Sequence, residues 1–230
     1  MVKKAVCLLS GGLDSSVAAY LAKNQGYEIY ALTIKYGQRH KKEIDSAKQI
    51  ARLLNAKKHV IIDLNLKKFG GSSLTDKSIE IETDRKMKDI GKKIPSTYVP
   101  ARNTIFLSIA LAYAETVDAE AIFIGATSTD YSGYPDCRPE YFKAFQKLVD
   151  LATKKGIEGG SIKINAPLLH TSKAEIIRRG FDLGVPFEKT WSCYKGENKA
   201  CGRCDSCLLR LKGFKEANLK DPIEYQFSSN

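Results

Sequence analysis

The strongest constraint on the fold is an alternation at the N-terminus. Residues 3 to 9 (KKAVCLL) form a short apolar run with strand character. Residues 14 to 24 (DSSVAAYLAKN) follow with helical spacing, which places Val17, Ala18, Leu21 and Ala22 on one face. Gly26 ends that helix, and residues 27 to 34 (YEIYALTI), rich in β-branched and aromatic side chains, form a second strand. Residues 41 to 55 repeat the helical spacing through Ile44, Ala47, Ile50, Ala51 and Leu54, and residues 58 to 64 (KHVIIDL) form a third strand. Strand, helix, strand, helix, strand within about 60 residues predicts a parallel sheet with right-handed crossovers.

Residues 67 to 97 break this rhythm. They are polar, lysine-rich and weakly periodic, and a long insertion of this kind in a compact domain is usually functional or mobile. The expectation is an active-site lid over 66–98. Regular structure resumes with an apolar helix over 103–116, a fourth strand over 120–125, a helix over 140–155, an edge strand over 161–168 and a helix over 172–183. Ser172 followed three residues later by Glu175 reads as a capping box for that last helix. A final short helix is expected over 205–217.

The predicted architecture is an α/β, Rossmann-like sheet of five mainly parallel strands with helices on both faces and the first strand central. A small C-terminal metal-binding loop and helix complete it. The division expected is a main α/β domain over 1–185 and a cysteine-rich segment over 186–230.

With 37 Lys and Arg against 26 Asp and Glu, the chain carries a formal charge of +11, which favours anionic partners such as nucleotides, RNA or acidic metabolites without choosing among them. No stretch approaches the ~18 apolar residues of a membrane span. The apolar run from Ala5 to Leu9 is broken by Gly11 and Gly12, unlike a signal peptide. A cytoplasmic protein with no membrane partner is expected.

The segment Ser10-Gly11-Gly12-Leu13-Asp14-Ser15-Ser16 lies between the first strand and the first helix. Ligands of α/β sheets bind there, beyond the carboxyl ends of the strands. The glycines let backbone N–H groups approach a phosphate, Ser15 and Ser16 add hydroxyl donors, and the helix N-terminus favours negative charge. Asp14 fits beside phosphate if Mg²⁺ bridges them. Leu8, Leu9, Val17 and Ala18 shape the same turn. It is neither a Walker A loop nor GxGxxG.

Cys193, Cys201, Cys204 and Cys207 supply four thiolates from one short loop, with two-residue spacings that let successive cysteines wrap one ion. All four positions would be filled by protein, so Zn²⁺, one ion per chain, would be structural. The alternative is an iron–sulfur cluster. The ferredoxin run ends in Cys-Pro, whereas Leu208 follows Cys207 here, which favours zinc.

The S-G-G-x-D-S pattern resembles the pyrophosphate loop of the N-type ATP pyrophosphatases, proteins of adenine nucleotide alpha hydrolase-like fold. Further stretches sharpen the resemblance: Tyr36-Gly37-Gln38-Arg39-His40 after the second strand, Val99-Pro100-Ala101-Arg102-Asn103 before the apolar helix, and the run from Thr129 to Arg138 (TDYSGYPDCR) after the fourth strand. With the cysteine loop, these resemble the 7-cyano-7-deazaguanine synthase family over about residues 4–212. Ala101 departs from the pattern, which has glycine there.

The resemblance implies an ATP-dependent ligase of queuosine or archaeosine biosynthesis. It would convert 7-carboxy-7-deazaguanine and ammonia to the nitrile through an activated carboxylate and an amide. It implies ATP and Mg²⁺ at Ser10 to Ser16, with Asp14 toward the metal, and a homodimer that needs no nucleic acid. Arg39, Arg102 and Arg138 are candidates for the α-phosphate or the substrate carboxylate, because guanidinium pairs bidentately with both. Asp130 or Asp136 suits the donor edge of a guanine-like ring, and Tyr131 and Tyr134 could stack on it. Cys7 reads as a buried small hydrophobe, while Cys137, beside Arg138, could be activated.

Two rival functions are a tRNA-modifying thiolase and a non-enzymatic zinc-ribbon module binding nucleic acid. The thiolase needs paired catalytic cysteines, and only Cys7 and Cys137 lie outside the metal loop. The zinc ribbon leaves the glycine-rich turn unexplained.

Overall fold

The computed structural model describes residues 2–39, 42–128, 134–196 and 198–226. Five strands, β1 (Lys4–Leu8), β2 (Glu28–Lys35), β3 (Lys58–Asp63), β4 (Ala121–Phe123) and β5 (Lys163–Asn165), form one sheet in the order β3-β2-β1-β4-β5. Every pairing is parallel. The first strand is central, and the chain steps outward from it to β3 before returning to its other side with β4. The order therefore reverses beside Ser10, as the sequence predicts.

Side chains alternate across a strand, so a strand buried on both faces feeds two cores. On one face Ala5, Cys7 and Leu9 pack with Ile29, Ala31 and Phe123 against α1 (Leu13–Asn24) and α2 (Lys42–Leu53) through Ala19, Ala22, Ala47 and Ile50. On the other, Val6, Leu8, Leu32, Ile34 and Ile122 pack with Leu107, Ala110, Phe142 and Phe145 of α3 (Arg102–Thr116) and α4 (Pro139–Ala152). The small alanines of α1 and α2 allow close approach to the sheet. A third cluster joins α1 to α6 (Lys173–Asp182) and α7 (Asp205–Glu216) through Val17, Ala18, Ile176, Ile177 and Phe214. Of the expected capping box the N-cap half is present: Ser172 Oγ accepts from the Glu175 N–H at 3.3 Å, while the Glu175 carboxylate pairs with Arg179.

Three expected elements differ in extent, the first being the strand expected over 120–125, which is confined to Ala121–Phe123. The helix expected over 140–155 is interrupted at Thr153, which is extended at φ −112° and ψ 150° and starts α5 (Lys154–Ile157). Its hydroxyl donates to the Val149 carbonyl at 2.8 Å and accepts from the Gly156 N–H at 3.0 Å, so one side chain closes the first helix and caps the next. The expected edge strand over 161–168 is confined to β5. Pro167 lies just beyond and cannot donate to a ladder.

Residues 66–98 contain short 3₁₀ turns at Leu66–Phe69 and Met87–Asp89 and bury Ser72, Ser73, Leu74 and Ile81. Their far end lies on the cysteine loop. Thr83 bridges to Cys204, Arg203 chelates Asp84, and Arg85 pairs with Asp205 at 2.9 Å. The cysteine loop in turn packs into the main core, because Trp191 and all four cysteines belong to the cluster under α3.

Candidate active site

The turn from Ser10 to Ser15 organises itself. Ser10 Oγ lies 2.9 Å from Ser15 Oγ and accepts from the Gly12 N–H at 3.2 Å, while Ser16 Oγ donates to the Gly12 carbonyl at 2.8 Å. Gly11 has φ +84°, and a Cβ there would meet the Glu43 carbonyl at 2.2 Å. Only glycine fits both the left-handed backbone and the contact with α2. Gly125, just after β4, is equally confined: a Cβ would lie 2.6 Å from the Ser15 nitrogen and 2.7 Å from the Asp14 carbonyl carbon. The Trp191 N–H donates to the Gly11 carbonyl at 2.8 Å, joining the C-terminal segment to the turn.

The turn opens into a cavity of about 270 Å³. Leu8, Leu9, Ser10, Gly12, Leu13, Asp14 and Ser15 line it, together with Arg102 and Tyr134. Gly11, Ser16, Val17 and Ala18 support the turn from behind and are absent from the lining. Lys173, at the start of α6, reaches in and holds Asp14, its Nζ 2.7 Å from each carboxylate oxygen. The pair is largely shielded, with side-chain exposures of 12% for Lys173 and 30% for Asp14.

The guanidinium of Arg102 lies over the Tyr36 ring, 5.8 Å from its centroid. The turn before it is strained at Ala101, which sits in the left-handed region at φ 52°. Asp136 fixes the start of α3: its Oδ2 accepts from the Asn103 N–H at 2.9 Å, and its backbone carbonyl accepts from Asn103 Nδ2 at 3.1 Å. Tyr134 Oη lies 3.1 Å from Thr97 Oγ1, linking the loop that precedes α4 to the insertion.

The remaining sequence candidates scatter. Arg39 turns away and donates to the carbonyls of Asp76 and Ile79 at 2.7 and 2.6 Å, where it braces the insertion. Arg138 is exposed and donates from Nε to the Pro135 carbonyl at 3.2 Å, outside the cavity. Asp136 is buried and committed to α3. Asp130 and Tyr131, like His40, lie outside the described residues. Cys137 accepts from Asn103 Nδ2 at 3.2 Å, and burial, aided by Asp136, pushes its thiol up to about 11. It is a thiol and not the activated thiolate that its neighbour Arg138 suggested. Cys7 is fully buried, with its thiol pushed up by desolvation.

Sequence reasoning missed Lys173, Glu43, Trp191 and Gly125. Lys173 follows the recognised cap Ser172, yet nothing local says that it reaches Asp14, 159 residues away. Glu43 lies in the first turn of α2, where an acid reads as a dipole partner. Here it lines the cavity, and burial pushes its carboxyl up to about 7 despite the pull of Arg102, with Cys193 adding to the rise.

The four cysteine sulfurs all lie within 4.8 Å of one another, and Cys201 and Cys207 are 3.9 Å apart. Tetrahedral thiolates at ~2.3 Å from one ion sit ~3.8 Å apart, so the set fits a metal. Backbone N–H groups point at the sulfurs: Gly196 and Cys201 donate to Cys193 Sγ at 3.0 and 3.2 Å, and Cys204 donates to Cys201 Sγ at 3.3 Å. Such bonds favour the thiolate form that a metal needs.

A glycine-rich turn at the switch point of a parallel sheet, with an arginine and a lysine lining one chamber, defines an α/β protein with a Rossmann-like sheet. The family model described as "Queuosine biosynthesis protein QueC" matches residues 4–218. A 7-cyano-7-deazaguanine synthase of Coxiella burnetii is 57% identical over 97% of this chain and 98% of its own. Another, of Thermoplasma acidophilum, is 56% identical over 97% and 92%. An NMN synthetase structure from Francisella tularensis aligns at TM-score 0.47 and 19% identity over 85% of this chain and 70% of that one. That likeness carries no functional argument. The chain belongs to the 7-cyano-7-deazaguanine synthase family, a family of enzymes.

Proposed function

We propose that the chain uses ATP to convert 7-carboxy-7-deazaguanine and ammonia into 7-cyano-7-deazaguanine. The observation that carries this reading is the single chamber shared by the Ser10–Ser15 turn and by Arg102 and Tyr134. A carboxylate held by the second group can be activated by a nucleotide held by the first.

The amides and hydroxyls of Ser10, Gly12 and Ser15 hold the phosphates at the N-terminus of α1. Lys173 supplies a positive charge against Asp14, and the Asp14 carboxylate is the group that would hold Mg²⁺. The metal would supply neutralising charge between phosphate oxygens. Arg102, fixed through Asn103 and Asp136, orients the substrate carboxylate or the α-phosphate. Leu8, Leu9, Leu32 and Ile34 form a dry wall that keeps water from the activated carboxyl carbon. Tyr134 offers a face to the heterocycle. The commitment of Asp136 to Asn103 favours Asp130 for the donor edge of the ring. In the cysteine loop, closed coordination by four protein thiolates suits a structural zinc.

The thiolase alternative needs a reactive cysteine pair, and both Cys7 and Cys137 are held as thiols. Among the described residues no helix is long and apolar enough to cross a membrane. The reading includes a cytoplasmic homodimer that needs no nucleic acid, whose assembly light scattering would read. The decisive experiment incubates the purified chain with ATP, ammonia and 7-carboxy-7-deazaguanine and follows the base by mass spectrometry. Formation of the nitrile is expected. ATP turnover with no amide or nitrile would refute the assignment.

A further inference from the structure

Ammonia in neutral water is almost entirely ammonium, which has no lone pair to attack a carboxyl carbon. An enzyme that uses it needs a group near the reacting carbon that attracts the cation and takes its proton. Among the described residues lining the cavity only two are carboxylates, Asp14 and Glu43. Asp14 is held by Lys173 beside the phosphate turn. The Glu43 carboxylate accepts no hydrogen bond from any described residue.

Glu43 is also fixed in place. Its backbone carbonyl lies against Gly11, where a single added methyl would meet it at 2.2 Å. It therefore sits beside the turn that holds the nucleotide. The charged and titratable groups around it are Arg102 and Tyr36, which also line the cavity, and Cys193 from the cysteine loop. Its neighbour Lys42 is turned away, with the ammonium 3.6 Å from the centroid of the Trp191 ring.

We propose that Glu43 binds ammonium and is the base that frees ammonia for attack on the activated carboxylate. This rests on the nitrile-forming reading above. The carboxylate takes one proton from ammonium and becomes a carboxylic acid. The freed nitrogen lone pair forms the C–N bond, and the C–O bond to the phosphorylated leaving oxygen breaks, with that oxygen keeping the electron pair. The nitrogen sheds a second proton to water, and Glu43 returns its own to solvent. A carboxyl whose proton affinity is matched to neutral pH suits that cycle, because a base works best with its pKa near the working pH.

The test compares two nucleophiles on the full chain with ATP and 7-carboxy-7-deazaguanine. Hydroxylamine is unprotonated at neutral pH and needs no base, so it traps the activated carboxylate as the hydroxamate. Glu43→Gln should lose about 100-fold or more of its rate with ammonia, with the loss confined to ammonia, and Glu43→Asp should recover part of it. An equal loss with both nucleophiles would make Glu43 merely structural and overturn the proposal, as would a wild-type ammonia rate in Glu43→Gln. If the unaltered chain forms neither hydroxamate nor nitrile, the nitrile-forming reading falls, and this one with it.

Discussion

Gly125→Ala adds one methyl group at the point where β4 ends against the phosphate turn. The added carbon would lie 2.6 Å from the Ser15 nitrogen and 2.7 Å from both the Asp14 carbonyl carbon and the Ser15 Cα. All three are backbone atoms of the first turn of α1, so no side-chain rotation relieves the clash. Ordinary contact requires the turn to retreat by about 0.8 Å, and a misplacement near 1 Å costs about 100-fold in catalysis. Overpacking of this kind also costs about 1–3 kcal/mol, which lowers Tm by roughly 2–12 °C for a chain of this size. The assay is kcat/KM for ATP at saturating 7-carboxy-7-deazaguanine, with Tm by calorimetry. The base should bind with little change, since the nearest atoms to the added carbon all belong to Asp14 and Ser15. Wild-type ATP kinetics together with a wild-type Tm would refute the claim that Gly125 seats the turn.

Other outcomes follow from the same geometry. Asp14→Asn should keep the fold and lose about 100-fold or more in turnover, because charge stabilisation at the transferred phosphates is the main catalytic lever; ATP turnover at the wild-type rate would refute the loop assignment. Ala101→Gly should relieve the left-handed strain and stabilise by about 1 kcal/mol, seen as a higher Tm. Metal removal by a chelator should raise hydrogen exchange first at residues 82–85 and 200–208, which the cysteine loop joins, and elemental analysis should find one zinc per chain. Iron with acid-labile sulfide would replace zinc by a cluster. Burial lifts Glu43 to about 7 in the folded chain, so its contribution favours folding below the ordinary carboxylate range and declines as pH rises toward 7. Glu43→Gln should therefore raise Tm at about pH 8 and leave it unchanged at about pH 4.

The sheet was legible because its signals are local. Alternating residues such as Val6 and Cys7 feed opposite cores, and each helix carries one apolar face. The glycine-rich turn between β1 and α1 was legible for the same reason, since seven consecutive residues carry it. What could not be read depends on long-range closure. Arg39 and Arg138 stand in suggestive motifs, but a guanidinium reaches far enough to satisfy loop carbonyls instead, and both do. Asp136 has the right chemistry for a purine edge and is captured by the unpaired Asn103 N–H at the start of α3. Lys173 and Glu43 lie in ordinary helix starts and become site residues only when α6 and α2 pack against the turn.

The cysteine loop does more than close the C-terminus. Trp191 leaves it to bond Gly11, Arg85 and Asp84 of the insertion grip Asp205 and Arg203, and α7 begins at its last two cysteines. On α7, Gly213 lies so close to α6 that a Cβ would meet the Lys173 Cγ at 2.4 Å. The absence of a side chain there lets the lysine stem run past α7 to Asp14. The cysteine loop thus joins the helix that guides Lys173, the Gly11 carbonyl of the glycine-rich turn and residues 83–85 of the insertion. An ion tying the four thiolates would make those three contacts one rigid unit. A structural metal there would bear on the chamber without any of its four ligands lining it.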